Sequence, residues 1–168
     1  MSFARTPGRD VYTITGGNGL KCGFSPAFAP LSKILEVYVD GKPVIFGLSE
    51  VNSYLVPSAD IDLGKKTVVE IVYEPGVGVL PVVVEGVPGK ASSGFRIVGQ
   101  QSSADGLSIT VSGRPGAEHI LKIRAPEGIS SVSGAEIAGR EGDVTALKIF
   151  FPADGKIPYS CRTVSVKK

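Results

Sequence analysis

The feature that most constrains this chain is the way glycine and proline interrupt its β-branched residues. From Val11 onward, runs of about 5–8 residues rich in Val, Ile, Thr and Tyr are separated by Gly, Pro, Asn or Asp, the pattern of short strands joined by turns. Across 168 residues, 34 Val and Ile stand against 10 Leu, and side chains branched at Cβ favour the pleated strand over the helix. No window carries an apolar stripe of helical period with caps, which leaves at most a helical turn near Ser25–Leu31. The expectation is an all-β fold, an antiparallel β-sandwich of Ig-like or jelly-roll type. The length suits one domain or a tight pair and falls short of the roughly 250 residues of a β/α barrel. Polar stretches at Ser92–Ser93 and Gln100–Ala104 point to two packed β units, 1–90 and 91–168; the alternative is a single sandwich over 11–168.

Strands are expected near 11–15, 20–24, 34–39, 43–48, 51–56, 67–74, 79–85, 94–99, 107–112, 119–125, 144–151 and 160–166. The clearest hairpin turns at Asp40–Gly41, a dipeptide that accepts positive φ, with Leu35, Val37 and Val39 on the inward face and Glu36 and Tyr38 outward. A second hairpin is expected between Leu107–Ser112 and His119–Arg124 across Gly113–Gly116, with Leu107, Ile109, Val111, Leu121 and Ile123 inward. V-x-G-x-P-G occurs at Val84–Gly89 and Val111–Gly116; turn chemistry explains two copies more simply than a repeat.

Charge excludes one large class of partner. Eighteen Lys and Arg against sixteen Asp and Glu, scattered rather than clustered, provide no electrostatic footprint for nucleic acid. No apolar run approaches the roughly 20 residues of a membrane span. The opening MSFARTPGRD lacks the apolar core of a signal peptide, which leaves a cytoplasmic chain or a module of a longer secreted protein; composition favours the second, extracellular or periplasmic. Cys22 and Cys161 both fall in expected strands near the chain ends; a disulfide between them and two buried free thiols are the alternatives.

The chemistry of catalysis is thin. The only histidine, His119, shares the parity of Leu121 and Ile123, as a packed side chain would, and no G-x-S-x-G supplies a nucleophile elbow. Gly16–Gly19 lacks the Gly-Lys-Ser/Thr of a phosphate cradle. Glu70 and Glu74 share a strand face but stand about 13 Å apart, beyond the reach of paired glycosidase carboxylates. No cofactor is implied. Asp60 and Asp62, read as loop acids beside Ser58, are the best candidates for a metal, and Ca²⁺ is the ion such oxygens take; a metal-free Asx turn is the competing reading. With no Trp, sugar stacking would fall to tyrosines: Tyr38 with Glu36 beside it, then Tyr12, Tyr54 and Tyr159.

The run from Leu107 to Lys168 combines a Gly-rich turn, an L-x-I-R-x-P strand at Leu121–Pro126, Val132–Ala135, a strand ending in Phe151–Pro152 and a last strand reaching the terminus. This stretch of about 60 residues resembles the C-terminal β-sandwich regions of some large bacterial carbohydrate-active enzymes. The resemblance implies an accessory module in which the chemistry belongs to a separate catalytic domain. Its partners would be a polysaccharide or oligosaccharide, or that neighbouring domain. The expected function is therefore a non-catalytic module of a secreted glycan-processing protein, binding carbohydrate or packing against a catalytic domain. A structural or adhesive Ig-like interaction module is the alternative, and an intrinsic glycan hydrolase or lyase a third reading.

Overall fold

The computed structural model describes residues 1–17, 19–82, 94–153 and 157–168. The chain divides into two units, Met1–Gly76 and Val77–Lys168. Unit 1 contains β1 (Ser2–Thr6), β2 (Arg9–Thr15), β3 (Leu20–Phe24), β4 (Lys33–Val39), β5 (Lys42–Pro43), β6 (Gly47–Val51), β7 (Tyr54–Leu63) and β8 (Lys66–Glu74). They form two antiparallel sheets, ordered β1-β2-β8-β4-β5 and β3-β7-β6. Strict alternation on β8 drives this packing: Thr67, Val69, Ile71 and Tyr73 are buried, while Val68, Glu70 and Val72 stay partly exposed. Val69 and Ile71 join Phe28, Ile34, Val37, Ala59, Ile61 and Tyr73 in the core of this unit.

Unit 2 contains β9 (Gly78–Val79), β10 (Arg96–Ser102), β11 (Gly106–Gly113), β12 (Glu118–Arg124), β13 (Ser131–Ser133), β14 (Glu136–Glu141), β15 (Val144–Phe150) and β16 (Ser160–Lys167). Its sheets are ordered β10-β11-β16-β13 and β14-β15-β12-β9, again antiparallel. Leu107, Ile109, Val111, Leu121, Ile123, Leu147, Ile149, Phe151, Val164 and Val166 are 0–2% exposed and make its core. The fold is all-β, an antiparallel β-sandwich architecture, and among the described residues no helix is long and apolar enough to cross a membrane.

Several local expectations change. Leu107–Ser112 and His119–Arg124 do not form a hairpin: β11 pairs with β10 and β16, whereas β12 pairs with β15 and β9. Their five inward residues are buried as expected, but the two strands belong to different sheets of the sandwich. Leu35 is the extra residue of a β-bulge, since Ile34 lies opposite Tyr73 and Glu36 opposite Val72. The bulge moves burial onto Ile34 and leaves Leu35 43% exposed. The strand expected at 51–56 contains a turn instead, with Val51 facing Tyr54 across Asn52 and Ser53, both at positive φ. Strand structure near 43–48 is confined to Lys42–Pro43 and the start of β6. Ser25–Leu31 makes no helical turn; Phe28 bridges Leu55, and Pro30–Leu31 sits in a turn closed by Ser32 N–H donating to the Ala29 carbonyl at 3.2 Å. The Asp40–Gly41 turn does form, with φ of 49° and 75°. The Val84–Gly89 motif, residues 83–85 of the strand expected near 79–85, Ser92–Ser93 and the 90/91 boundary fall outside the described residues; in the described part of that strand only Val79 is in strand structure.

Candidate functional site

An open concavity lies on the outer face of the β14-β15-β12 sheet. Alternation along β15 points Leu147 and Ile149 inward and Lys148 and Phe150 outward. Cross-strand register then sets Glu118 opposite Phe150 and Glu136 opposite Lys148. The remaining wall comes from the other sheet, where the Arg162 Nε of β16 donates to the Phe150 carbonyl at 3.2 Å. Between β13 and β14 the chain crosses from one sheet to the other at Gly134, which has φ +79°. A Cβ there would stand 2.1 Å from the Thr163 carbonyl oxygen, so only glycine permits this approach. The result is an open groove of about 530 Å³ lined by these side chains and the Gly134 backbone.

Its surface mixes one aromatic with both signs of charge. Phe150 is 49% exposed, unusual for so large an apolar side chain in the middle of charged neighbours. Lys148 Nζ stands 3.7 Å from Glu118 Oε1 and 3.8 Å from Glu136 Oε2. Ion pairs this long and this exposed hold little energy, so the groove's donors and acceptors are available to a polar ligand.

The tyrosines proposed from sequence occupy different surroundings. The Tyr38 hydroxyl donates to Glu36 Oε2 at 2.6 Å, and this carboxylate raises the phenol above its ordinary value. The pair stands on the outward face of β4, with Glu70 opposite Tyr38 in the register and joined to Arg9 Nη2 at 2.6 Å. Tyr12 is half-buried, its ring 4.8 Å from Phe3 and 4.9 Å from Phe24; burial pushes its hydroxyl up to about 12. Tyr54 is 41% exposed at the start of β7. Tyr159, also 41% exposed, lies under the Arg96 guanidinium at 5.9 Å from the ring centroid.

Asp60 and Asp62 are on a strand rather than in a loop. Both point outward from β7, with Gly23 and Lys21 opposite them on β3. Among the described residues no three His, Cys, Asp or Glu side chains converge as a metal site. Cys22 is half-buried in unit 1 and Cys161 exposed in unit 2, and both are free thiols.

His119 is packed, as its parity on β12 requires. Its ring stacks on Phe95 at 4.5 Å with an interplanar angle of 3° and meets Phe151 edge-on at 5.8 Å. Nε2 is buried without a hydrogen-bond partner among the described residues, and burial lowers the imidazole below its ordinary value.

Phe150, Glu118, Glu136, Lys148 and Arg162 were missed in the sequence. One signal for Phe150 was present, because in Lys148–Ile149–Phe150–Phe151 the first phenylalanine shares the parity of the lysine. No protein-family model matches the chain, and no curated protein or solved structure matches it.

Proposed function

We propose that this protein is a non-catalytic β-sandwich module that binds carbohydrate, an accessory part of a secreted glycan-processing protein, with the Phe150 groove as the sugar site. The observation that carries the reading is a half-exposed Phe150 set among Glu118, Glu136, Lys148 and Arg162 in one concavity. A pyranose has an apolar face that stacks on an aromatic ring and a rim of hydroxyls that needs donors and acceptors together, and this groove offers both.

Cleavage is the competing chemistry, because Glu118 and Glu136 each lie within 3.8 Å of the same Nζ, well inside the roughly 9.5 Å spanned by catalytic carboxylate pairs. Their side chains are 58% and 81% exposed, however, and a general acid at neutral pH depends on a desolvated carboxyl. Binding is favoured on that ground. The adhesive reading rests on Ile45, which is 97% exposed near the Leu48 and Val51 of β6.

Retention on a panel of immobilised plant and microbial polysaccharides tests the proposal. The protein is expected to bind at least one, and Phe150→Ala to weaken that binding about tenfold while keeping the fold, since Phe150 faces outward. Failure to bind any polysaccharide overturns the reading; reducing-sugar release by the intact protein, abolished in Glu118→Gln, would replace it with cleavage.

A further inference from the structure

A second concavity in unit 2 differs from the first in its charge. The cleft, about 370 Å³, is lined by Arg114, Pro115, Ile157, Pro158 and Tyr159. Among the described residues of that lining the one ionised side chain is a guanidinium, and a second, from Arg96, lies over the Tyr159 ring at 5.9 Å. No described carboxylate forms an ion pair with Arg96 or Arg114, whereas in the Phe150 groove Lys148 is shared by two. The Tyr159 ring is also held in place. Gly94 has φ +66°, and a Cβ on it would fall 2.1 Å from Tyr159 Cε1, so the Gly94 backbone is in direct contact with the ring edge. Two residues further on, the same segment supplies Arg96.

We infer that this cleft is a separate binding site for an acidic sugar residue, one whose ring packs against Tyr159 and the two prolines while its carboxylate or sulfate is taken by Arg114 and Arg96. Guanidinium forks match the planar carboxylate with two parallel hydrogen bonds, and desolvation against Tyr159, Pro115 and Pro158 strengthens them. The apolar lining explains why the ligand carries a ring rather than being a bare anion. The inference rests on the carbohydrate reading and extends it, assigning anionic glycans to this cleft and leaving the Phe150 groove to sugars selected by their hydroxyls.

The test is a calorimetric titration of the whole chain with a short oligomer of galacturonic acid and, separately, with the neutral galactose oligomer of equal length. The acidic oligomer is expected to bind, to weaken about tenfold or more in Arg114→Gln and in Tyr159→Ala, and to weaken with added salt. Arg114 contributes its carbonyl, not its side chain, to the local turn, so Arg114→Gln leaves the fold in place. Phe150→Ala is expected to leave this binding unchanged. Equal affinity for the acidic and neutral oligomers, or acidic binding untouched by Arg114→Gln, overturns the inference. If neutral sugars bind and are lost in Phe150→Ala while the acidic oligomer does not bind, the cleft proposal fails and the function stands. If neither class of sugar binds, both fail.

Discussion

Asp10 is the most demanding residue in unit 1. Its side chain is fully buried, and it accepts two bonds from the Arg5 guanidinium, at 2.8 and 2.6 Å, with the Tyr73 hydroxyl at 3.2 Å and the Tyr12 hydroxyl at 3.4 Å. A carboxylate cannot be desolvated without such partners. The arrangement acts in return on the tyrosines, both of which are raised, chiefly by their own burial and next by the charge of Asp10. Arg5→Ala is therefore expected to cost about 2–3 kcal/mol in urea unfolding, with Arg5→Lys intermediate because it keeps the charge and loses the fork. His119 presents the opposite case, a base whose Nε2 is buried with no hydrogen-bond partner among the described residues. Its folded-state value lies below the ordinary 6.5 because of burial, so the unfolded chain takes up the proton more readily. The stability of unit 2 should hold above about pH 6.5 and decline as the pH falls from there toward the lowered value. Denaturant midpoints measured between pH 8 and 5 should show that decline in the wild type and lose it in His119→Phe. The bonds of Arg5 and Tyr73 to Asp10 cross between strands whose register the linear order does not state, so they could not be read from these residues singly.

Among the elements, most strands with two neighbours were legible; β7 is the exception, since it also lies between two strands but its Asp60 and Asp62 were read as loop acids. The strands β2, β8, β11, β12, β15 and β16 run through sheet interiors, and burial of one face imposes the alternation that marked them in advance. β1 and β14 lie at sheet edges with every residue exposed, and they were not foreseen. An exposed edge has no buried face to write a period into the sequence, so only the pairing with β2 or β15 reveals it. The bulge in β4 shows the other way that a pattern misleads. Counting by twos along Leu35, Val37 and Val39 assumes one residue per step, and the inserted residue shifts every position before it to the other face. Ile34→Ala is expected to destabilise the protein by about 2–4 kcal/mol, and Leu35→Ser by less than about 1, in chemical denaturation; the reverse order would mean that the bulge is absent in solution.

At the scale of the molecule, the residue pattern was enough to determine an all-β chain, the inward faces of β11 and β12 and the Asp40–Gly41 corner, because these follow from local sterics and from the need to hide Val, Ile and Leu side chains. Pairing was beyond its reach. β11 and β12 follow one another across a four-residue loop and carry matching apolar faces, which suits a hairpin within one sheet and equally well two strands facing each other across a core. Burial is satisfied either way, so the choice falls to β16 and β15, whose paired residues lie 47–61 and 20–32 positions further along the chain. The same long-range pairing made the candidate site: Glu118, Glu136, Lys148, Phe150 and Arg162 come from four strands and meet only because two sheets close over one core. A sequence specifies the faces of its strands residue by residue through the hydrophobic effect, which has no direction. The neighbours of each strand depend on directional hydrogen bonds between distant segments, and only the tertiary structure decides those.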